Sequence, residues 1–386
     1  SPHGMHSNVL VRADYEVHLL GAALKVAGTP FTQQDSRVGA CAQAAIWVVG
    51  RHVHTKHRGP RFSIADITEA ASKPADLTLA SSLPAGSRFL SLDNMVRALH
   101  AMGRKPLTFH AHGDPANPNK LVWPSNLVPH RIIGQYVDSG IPVIIGLYYP
   151  NQPIGHAVVA VGQTTKTLQA GSVMGPYPTR SDYVDSFLVN DDQLGSYLRM
   201  PVKANSGFGE TSYNVEENVA YIIVPLPEKV YITAEVAEQI AWPLIEKYAA
   251  DWPARASKNK HKASFPLALG NEFTQAINDG KVVARTYLTY GWKYQKRVVS
   301  GDASDGLKAA VMAQTFPRFV WVTEFGTIES FNHLKIKDCQ IYAHVVIDAT
   351  SSDYWEGRSI FHAPSITRRW YHNASDDNKE YDVAEG

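Results

Sequence analysis

Residues 141–162 read Ile141-Pro142-Val143-Ile144-Ile145-Gly146-Leu147-Tyr148-Tyr149-Pro150-Asn151-Gln152-Pro153-Ile154-Gly155-His156-Ala157-Val158-Val159-Ala160-Val161-Gly162. Two apolar runs rich in β-branched residues flank a turn from Pro150 to Pro153, the pattern of an antiparallel hairpin. A third strand is expected at Ser186-Phe187-Leu188-Val189-Asn190-Asp191-Asp192, broken at Gln193-Leu194-Gly195, and a fourth at Val219 to Val224.

Upstream of the hairpin the texture is helical. Glu16 to Val26 is an extended or mixed apolar segment that ends at the Gly28-Thr29-Pro30 turn. A helix is expected from about Cys41 to Val53. Ser63, with Asp66 three residues on, has the form of a capping box and opens a short helix to about Ala71. Ser91 caps another, in which Leu92, Met95, Val96, Leu99 and Met102 share one 3.6-period stripe up to Gly103. Arg131 to Ser139 is a further helix, stopped at Gly140. Residues 72–90 and 113–129 are Pro/Ser/Gly/Asn-rich loops. Helices first and an antiparallel sheet after make an α+β layout.

The chain has 386 residues, length for about two domains, and 44% of them are apolar, enough for a sizeable core. Lys+Arg 37 against Asp+Glu 36 leaves a net charge of +1, so no global basic field points to nucleic acid or an anionic membrane. The longest apolar runs, such as Ile141 to Tyr149, fall far short of a bilayer span. Two cysteines, Cys41 and Cys339, make no disulfide framework. A reducing, cytoplasmic location is the expectation, with secretion left open should the start Ser-Pro-His-Gly-Met-His be a truncated one.

From Pro225-Leu226-Pro227 the texture changes. A helix is expected from Thr233 to about Ala250 with a kink at Pro243, then a basic linker from Arg255 to Lys262, and a helix near Asn271 to Asn278. Strands follow at Val282–Val299, Phe319–Phe325 and Gln340–Ala349, with a short helix from Ser304 to Gln314. The expected organisation is a first domain over 1–225, an α+β accessory domain over 226–372, and an acidic disordered tail over 373–386. No internal repeat is present.

The first helix opens at a cysteine. Gln34 to Trp47 runs from a polar, turn-prone stretch into an Ala-rich helix, and Cys41 sits where the two meet. A thiol there feels the positive end of the helix macrodipole and unpaired backbone N–H groups, which favour thiolate. Taken singly, Cys41 reads as a small core residue, His156 as a strand-edge histidine and Asp191 as a turn-capping carboxylate. Taken together they form a chemical order: a thiol on a helix N-terminus, a histidine opening one strand, a carboxylate ending the next. On neighbouring strands the histidine and the carboxylate can meet across the sheet. The carboxylate then accepts the far imidazole N–H and holds the ring's tautomer. Gln34 stands upstream of the thiol, where its amide would join the Cys41 backbone N–H as an oxyanion hole. Asn190 and Asp192 flank Asp191 and are alternates for its place, although strand alternation puts both on the opposite face.

These residues resemble the papain-like cysteine peptidase superfamily, and within it the bacterial branch related to double-glycine leader peptidases. The likeness rests on Gln34 and Cys41 at the helix start, on SGIPVIIGLYYPNQPIGHAVVAVG over 139–162, and on FLVNDDQLGSYLRM over 187–200, and it covers about residues 30–200. The family's Cys falls on Cys41, its His on His156 and its Asp on Asp191, which stands four residues before Gly195 as the family's turn requires. Three positions depart from the family. Ala42, not Gly, follows the cysteine, and Asp192 stands where Pro is usual. Gln34 is one residue further from the cysteine than expected, which leaves Gln33 or a one-residue bulge as alternatives. The resemblance implies a papain-like fold, with a helical part carrying the nucleophile packed on an antiparallel sheet. It implies a thiol hydrolase that cleaves a peptide or isopeptide bond through a Cys-His-Asp triad and a thioester, acts on a protein or peptide substrate, and needs no metal or organic cofactor.

The same order of residues also serves acyltransferases and transglutaminases, in which an amine replaces water. A catalytically inactive binding module, and an effector peptidase triggered by a regulatory partner at the C-terminal domain, are the other readings. Elsewhere the chain offers less. His52, His54 and His57 lack the shared face of a zinc pair and read as solvated loop residues. Tyr287, Tyr290, Trp292 and Tyr294 read as an aromatic strand, Cys339 as a buried core thiol. The basic run Arg255 to Lys262 lacks the interleaved aromatics of a nucleic-acid site, and the glycines form no phosphate loop.

Overall fold

The computed structural model describes residues 5–33, 41–73, 90–150, 155–166, 177–204, 207–262, 265–327, 330–332, 340–352, 357–371 and 379–383. The chain divides into two compact units, one made of 1–166 and 184–228, the other of 167–183 and 229–386. The second unit thus also takes in a segment that the sequence reading leaves in the first.

In chain order the first unit contains β1 (Met5–Val9), β2 (Ala13–Leu19), β3 (Ala22–Gly28), α1 (Cys41–His57), α2 (Ile64–Ser72), α3 (Leu92–Ala101) and β4 (Arg104–His110). It continues with β5 (His112–Asp114), β6 (Asn117–Val122), α4 (Pro129–Asp138), β7 (Val143–Leu147), β8 (His156–Lys166), β9 (Val184–Asp191), β10 (Gly195–Pro201), the single turn α5 (Val215–Asn218) and β11 (Val219–Pro227). Among the described residues the main sheet has seven strands, in the order β10-β9-β8-β7-β11-β4 with β1 also on β8. Every pairing in it is antiparallel. The β2–β3 hairpin stands outside this sheet.

Local chemistry accounts for the helix starts. Ser63 accepts from the Asp66 N–H while the Asp66 carboxylate accepts from the Ser63 N–H, and Ser91 and Asn94 do the same at α3. Asn94 also donates to the carbonyl of Ala71 at 2.9 Å, which ties α3 to the end of α2. The apolar stripes of these helices meet one face of the sheet. Ile46, Val49 and Val53 of α1, Ile67 of α2, and Met95 and Leu99 of α3 share a core with Ile144, Ala157, Val159, Val161, Leu188 and Ile223 of the strands. Helix α4 packs on the other face of β7, β8 and β11, and Ile132, Ile133, Tyr136 and Val137 are buried there. With both faces covered, β7 is buried along its whole length, which explains its uninterrupted apolar run. β8 outlasts β7, and β1 takes the place beyond β7's end. Gly162 allows that approach, because a Cβ there would collide with the carbonyl of Asn8.

The first unit therefore joins helices to an antiparallel sheet, as the pattern predicts. It differs in detail. α1 continues past Val53 to His57, so His52, His54 and His57 are helical and not loop residues. His52 follows Val49 on the inner stripe of the helix and is fully buried. Burial, with the charges of Lys56 and His57 adding to it, lowers its pKa to about 3. β1, β4 and β10 were not anticipated, and β5 and β6 pair where the stretch 113–129 was expected to be loop.

The second unit contains α6 (Ala234–Asn259), α7 (Leu267–Asn278), β12 (Val282–Tyr290), α8 (Gly291–Ser300), α9 (Asp305–Met312), β13 (Phe319–Thr327), β14 (Ala343–Asp348), β15 (Arg358–Ala363), β16 (Ile366–Tyr371) and β17 (Lys379–Val383). Its strands β12 to β17 pair in sequence order as an antiparallel meander. Three expectations are corrected here. The strand expected over Val282–Val299 ends at Tyr290, where α8 begins; its buried Gly291, Tyr294 and Val298 have helical spacing, and Trp292 is exposed. The basic linker expected at Arg255 is the end of α6, which runs through both Pro243 and Pro253 as far as Asn259. The tail expected to be disordered contributes β17, paired with β16. Addition at a sheet edge is a main-chain interaction and needs no apolar sequence.

A polar row crosses the second sheet. Arg285, Glu324, His344, His362 and Thr367 are successive register neighbours on five strands. Glu324 is buried and accepts from Arg285 at 3.0 Å, Arg297 at 2.9 Å and the Tyr287 hydroxyl at 2.8 Å. Among the described residues, no helix of the chain is long and apolar enough to cross a membrane.

Candidate active site

Three elements of the first unit converge on the candidate site. Cys41 is the first residue of α1, so its backbone N–H is one of the first-turn donors without an intrahelical acceptor. Its side chain is half-buried against the helical core. His156 is the first residue of β8 and pairs with Leu147. Asp191 is the last residue of β9. The Val159–Asn190 pairing sets Asp191 diagonally across the ladder from His156 on one face of the sheet.

That register brings the two side chains together. His156 Nε2 lies 3.0 Å from Asp191 Oδ1, and both residues are buried. The other nitrogen, Nδ1, is buried and makes no hydrogen bond of ordinary geometry among the described residues. Burial alone would lower the imidazole's pKa. The hydrogen bonds and charges of Asp191 and Cys41 overcome it and raise the value to about 10. Cys41 therefore acts on the same ring as Asp191, in a looser geometry of the kind common in substrate-free sites.

Asp191 is fully buried and fully engaged. Oδ1 also accepts from the N–H groups of Gln193 at 2.9 Å and Leu194 at 3.2 Å, and Oδ2 accepts from the Tyr213 hydroxyl at 2.6 Å. Burial would raise this carboxyl, but His156, Tyr213 and Gln193 hold it below its ordinary value. The turn after Asp191 is thus organised by the carboxylate itself.

Of the two alternates, Asn190 is turned to other work. Its amide donates to the carbonyl of Pro30 at 3.2 Å and accepts from the Tyr197 N–H at 3.1 Å. The Tyr197 hydroxyl bonds both the N–H and the carbonyl of Thr29. Asp192 does not follow the alternation expected of a strand. β9 ends at Asp191, and the turn brings Asp192 Oδ1 to 3.7 Å from His156 Nε2. Gln34, expected in the oxyanion hole with Gln33 as its alternative, lies outside the described residues, as does Cys339.

Three tyrosines complete the surroundings, and none was anticipated. Tyr149 meets Tyr213 edge to face, with ring centroids 6.4 Å apart. Burial, then the charges of Asp191 and Cys41, raise Tyr149 to about 12. Tyr221 is raised to about 12 by burial and by Cys41, and its hydroxyl lies 3.5 Å from Met95 Sδ. Tyr221 pairs with Gly146, where any Cβ would fall inside the tyrosine ring. The absence of a side chain at Gly146 is what lets this ring lie across the sheet. A Gly in a buried strand facing an aromatic was the one sequence signal available for Tyr221; nothing in the spacing of Tyr213 announces its bond to Asp191.

One group of potential metal ligands occurs among the described residues. His156, Asp191 and Asp192 each offer an atom within 4.8 Å of the others. A cation there would compete with the imidazole, the Tyr213 hydroxyl and two backbone N–H groups for Asp191.

No protein-family model matches the chain, and no curated protein does. Among solved structures it is similar to the peptidase domain of Streptococcus ComA, a bi-functional ABC transporter involved in a quorum-sensing pathway. The alignment covers 51% of this chain and 98% of that domain, with 16% sequence identity and a TM-score of 0.28. A likeness at that level assigns neither fold nor activity.

Proposed function

We propose that the first unit is a papain-like cysteine peptidase that hydrolyses a peptide or isopeptide bond, with Cys41 as nucleophile, His156 as base and then acid, and Asp191 as the group that orients His156. The observation that carries this reading is the shared imidazole: Asp191 holds Nε2 at 3.0 Å while Cys41 acts on the same ring.

With the His156 pKa raised to about 10, the thiol proton already rests on Nδ1 at neutral pH, and the Cys41 thiolate attacks the carbonyl carbon of the substrate. The oxyanion of the tetrahedral intermediate is met by the Cys41 backbone N–H and, by its place in the sequence, Gln34. The C–N bond breaks as the imidazolium protonates the leaving amine, which leaves a thioester on Cys41. Water then loses a proton to His156 and attacks the thioester; the C–S bond breaks and the thiol is restored. Throughout, Asp191 accepts from Nε2, so the imidazolium is stabilised and Nδ1 stays directed at the thiol. The second unit is the candidate seat of a regulatory partner.

The test is a mixture of unrelated peptides incubated with the full chain and searched by mass spectrometry for new termini. Wild type is expected to produce them, while Cys41→Ala and His156→Ala do not, although both variants keep the wild-type circular dichroism spectrum. New termini from Cys41→Ala at the wild-type rate would rule the mechanism out.

A further inference from the structure

Asp192 is held beside the dyad in a way its place in the chain does not require. It is 6% exposed, and its Oδ1 has no hydrogen-bond partner among the described residues. A buried carboxylate oxygen without a donor is costly. That oxygen lies 3.7 Å from His156 Nε2, which at the same time is 3.0 Å from Asp191 Oδ1. One imidazole N–H therefore faces two carboxylate oxygens, one at hydrogen-bond distance and one just beyond it.

Among the described residues the other side chains around the ring give Asp192 Oδ1 no hydrogen bond, although the residue's own backbone N–H acts on the carboxylate. Cys41 acts on the imidazole, Tyr213 donates to Asp191 Oδ2, and Tyr149 and Tyr221 respond to the Cys41 charge. Asn190, on the other side of Asp191, is bonded to Pro30 and Tyr197.

We propose that Asp192 is a positioning residue that shares the imidazolium of His156 with Asp191, a role that rests on the reading of Cys41 and His156 as nucleophile and base. With the thiol proton on Nδ1 the ring is a cation in the resting pair, and a small rotation lets the Nε2–H bifurcate between the two carboxylates. Nothing else is transferred: Cys41 loses one proton and His156 gains it. Asp192 then carries its largest weight when Asp191 is missing, because the ring can turn to it as sole acceptor. Burial and the Asp191 charge raise the Asp192 carboxyl, and the His156 charge opposes them, as expected for a second carboxylate whose ionisation depends on the imidazolium.

The experiment needs no substrate. The rate of Cys41 alkylation by iodoacetamide, followed from about pH 5 to 9, reads the thiolate that the imidazolium stabilises. It is measured for the full-length wild type, Asp192→Asn, Asp191→Asn and the double variant. At about pH 6.5 Asp192→Asn is expected to slow alkylation about fivefold in the wild type and about fiftyfold when added to Asp191→Asn. A factor no larger in the Asp191→Asn background than in the wild type overturns the proposal. Should Asp191→Asn fail to fold, nitrogen-15 NMR of labelled histidine decides on the single variant. The His156 ring is expected to titrate at lower pH in Asp192→Asn than in the wild type, and an unchanged titration overturns the sharing. A wild type that alkylates no faster than the unfolded chain would remove the hydrolase reading itself, a result distinct from either of these.

Discussion

The Tyr213 hydroxyl donates a 2.6 Å hydrogen bond to Asp191 Oδ2, the carboxylate oxygen that His156 does not use. Both residues are buried, so Tyr213→Phe leaves a charged acceptor without its donor and without water. The expected loss of stability is about 1–3 kcal/mol by urea denaturation, with slower Cys41 alkylation because Oδ2 loses the donor that helps fix the carboxylate's orientation. A loss under about 0.5 kcal/mol would mean that the bond contributes nothing net.

The pH dependence of the dyad follows from its direction of shift. The His156 pKa is raised to about 10 in the folded chain, against burial, by Asp191 and Cys41. A raised histidine contributes its full stability below the unfolded value of about 6.5, and the contribution falls away as the pH climbs through the folded value. Wild type should therefore lose stability between about pH 6.5 and 10, by at most about 1.4 kcal/mol per pH unit from this group. In Asp191→Asn the imidazole loses the partner that raises it most and titrates lower, and the profile in that range flattens. Urea midpoints taken across the range, for both proteins, check it; parallel curves would contradict the assignment.

Gly146 and Tyr221 are predicted to be energetically coupled. A methyl at position 146 collides with the Tyr221 ring inside a packed sheet, so Gly146→Ala should cost about 1–3 kcal/mol and displace the ring from the neighbourhood of Cys41. Tyr221→Ala makes room for that methyl. Added to Tyr221→Ala, the Gly146 substitution should cost less than half of what it costs in the wild type, as read from a thermal double-mutant cycle. Additive effects would show that the contact is absent.

In the second unit Glu324 pairs with both Arg285 and Arg297, of which Arg285 is the more buried side chain. Glu324→Gln keeps the shape but removes the charge that Arg285 and Arg297 share. The expected cost is about 3–5 kcal/mol by urea denaturation. Replacing Arg297, whose side chain is 52% exposed, should cost much less.

The parts of this molecule legible in its sequence are those written in local code. The capping serines Ser63 and Ser91, the stripe through Met95 and Leu99, and the antiparallel β7–β8 pairing each depend on neighbours close in the chain. His156 and Asp191 were legible for a related reason, since each marks the end of an apolar strand. What was hidden depends on partners distant in the chain. β4 reads Arg104-Lys105-Pro106-Leu107-Thr108-Phe109-His110, with charges and a proline, and becomes a strand because β11 pairs with it at the sheet edge. Trp292 and Tyr294 continue the aromatic texture of β12, yet the chain turns helical at Gly291. Asp192 was assigned to the wrong face because alternation holds only while the strand lasts, and β9 stops one residue earlier. The bond from Tyr213 to Asp191 spans 22 positions with no repeat or motif between them.

Asn190 joins segments that are far apart in sequence: its amide bridges the Pro30 carbonyl and the Tyr197 N–H, and Tyr197 in turn closes on Thr29. The chain at residues 29–30 is thereby fastened to β9, one residue from Asp191. Residues 29–30 and the end of β9 are thus held together by two side chains and not by sheet pairing, so Asn190→Ala would release both of the amide's attachments at once.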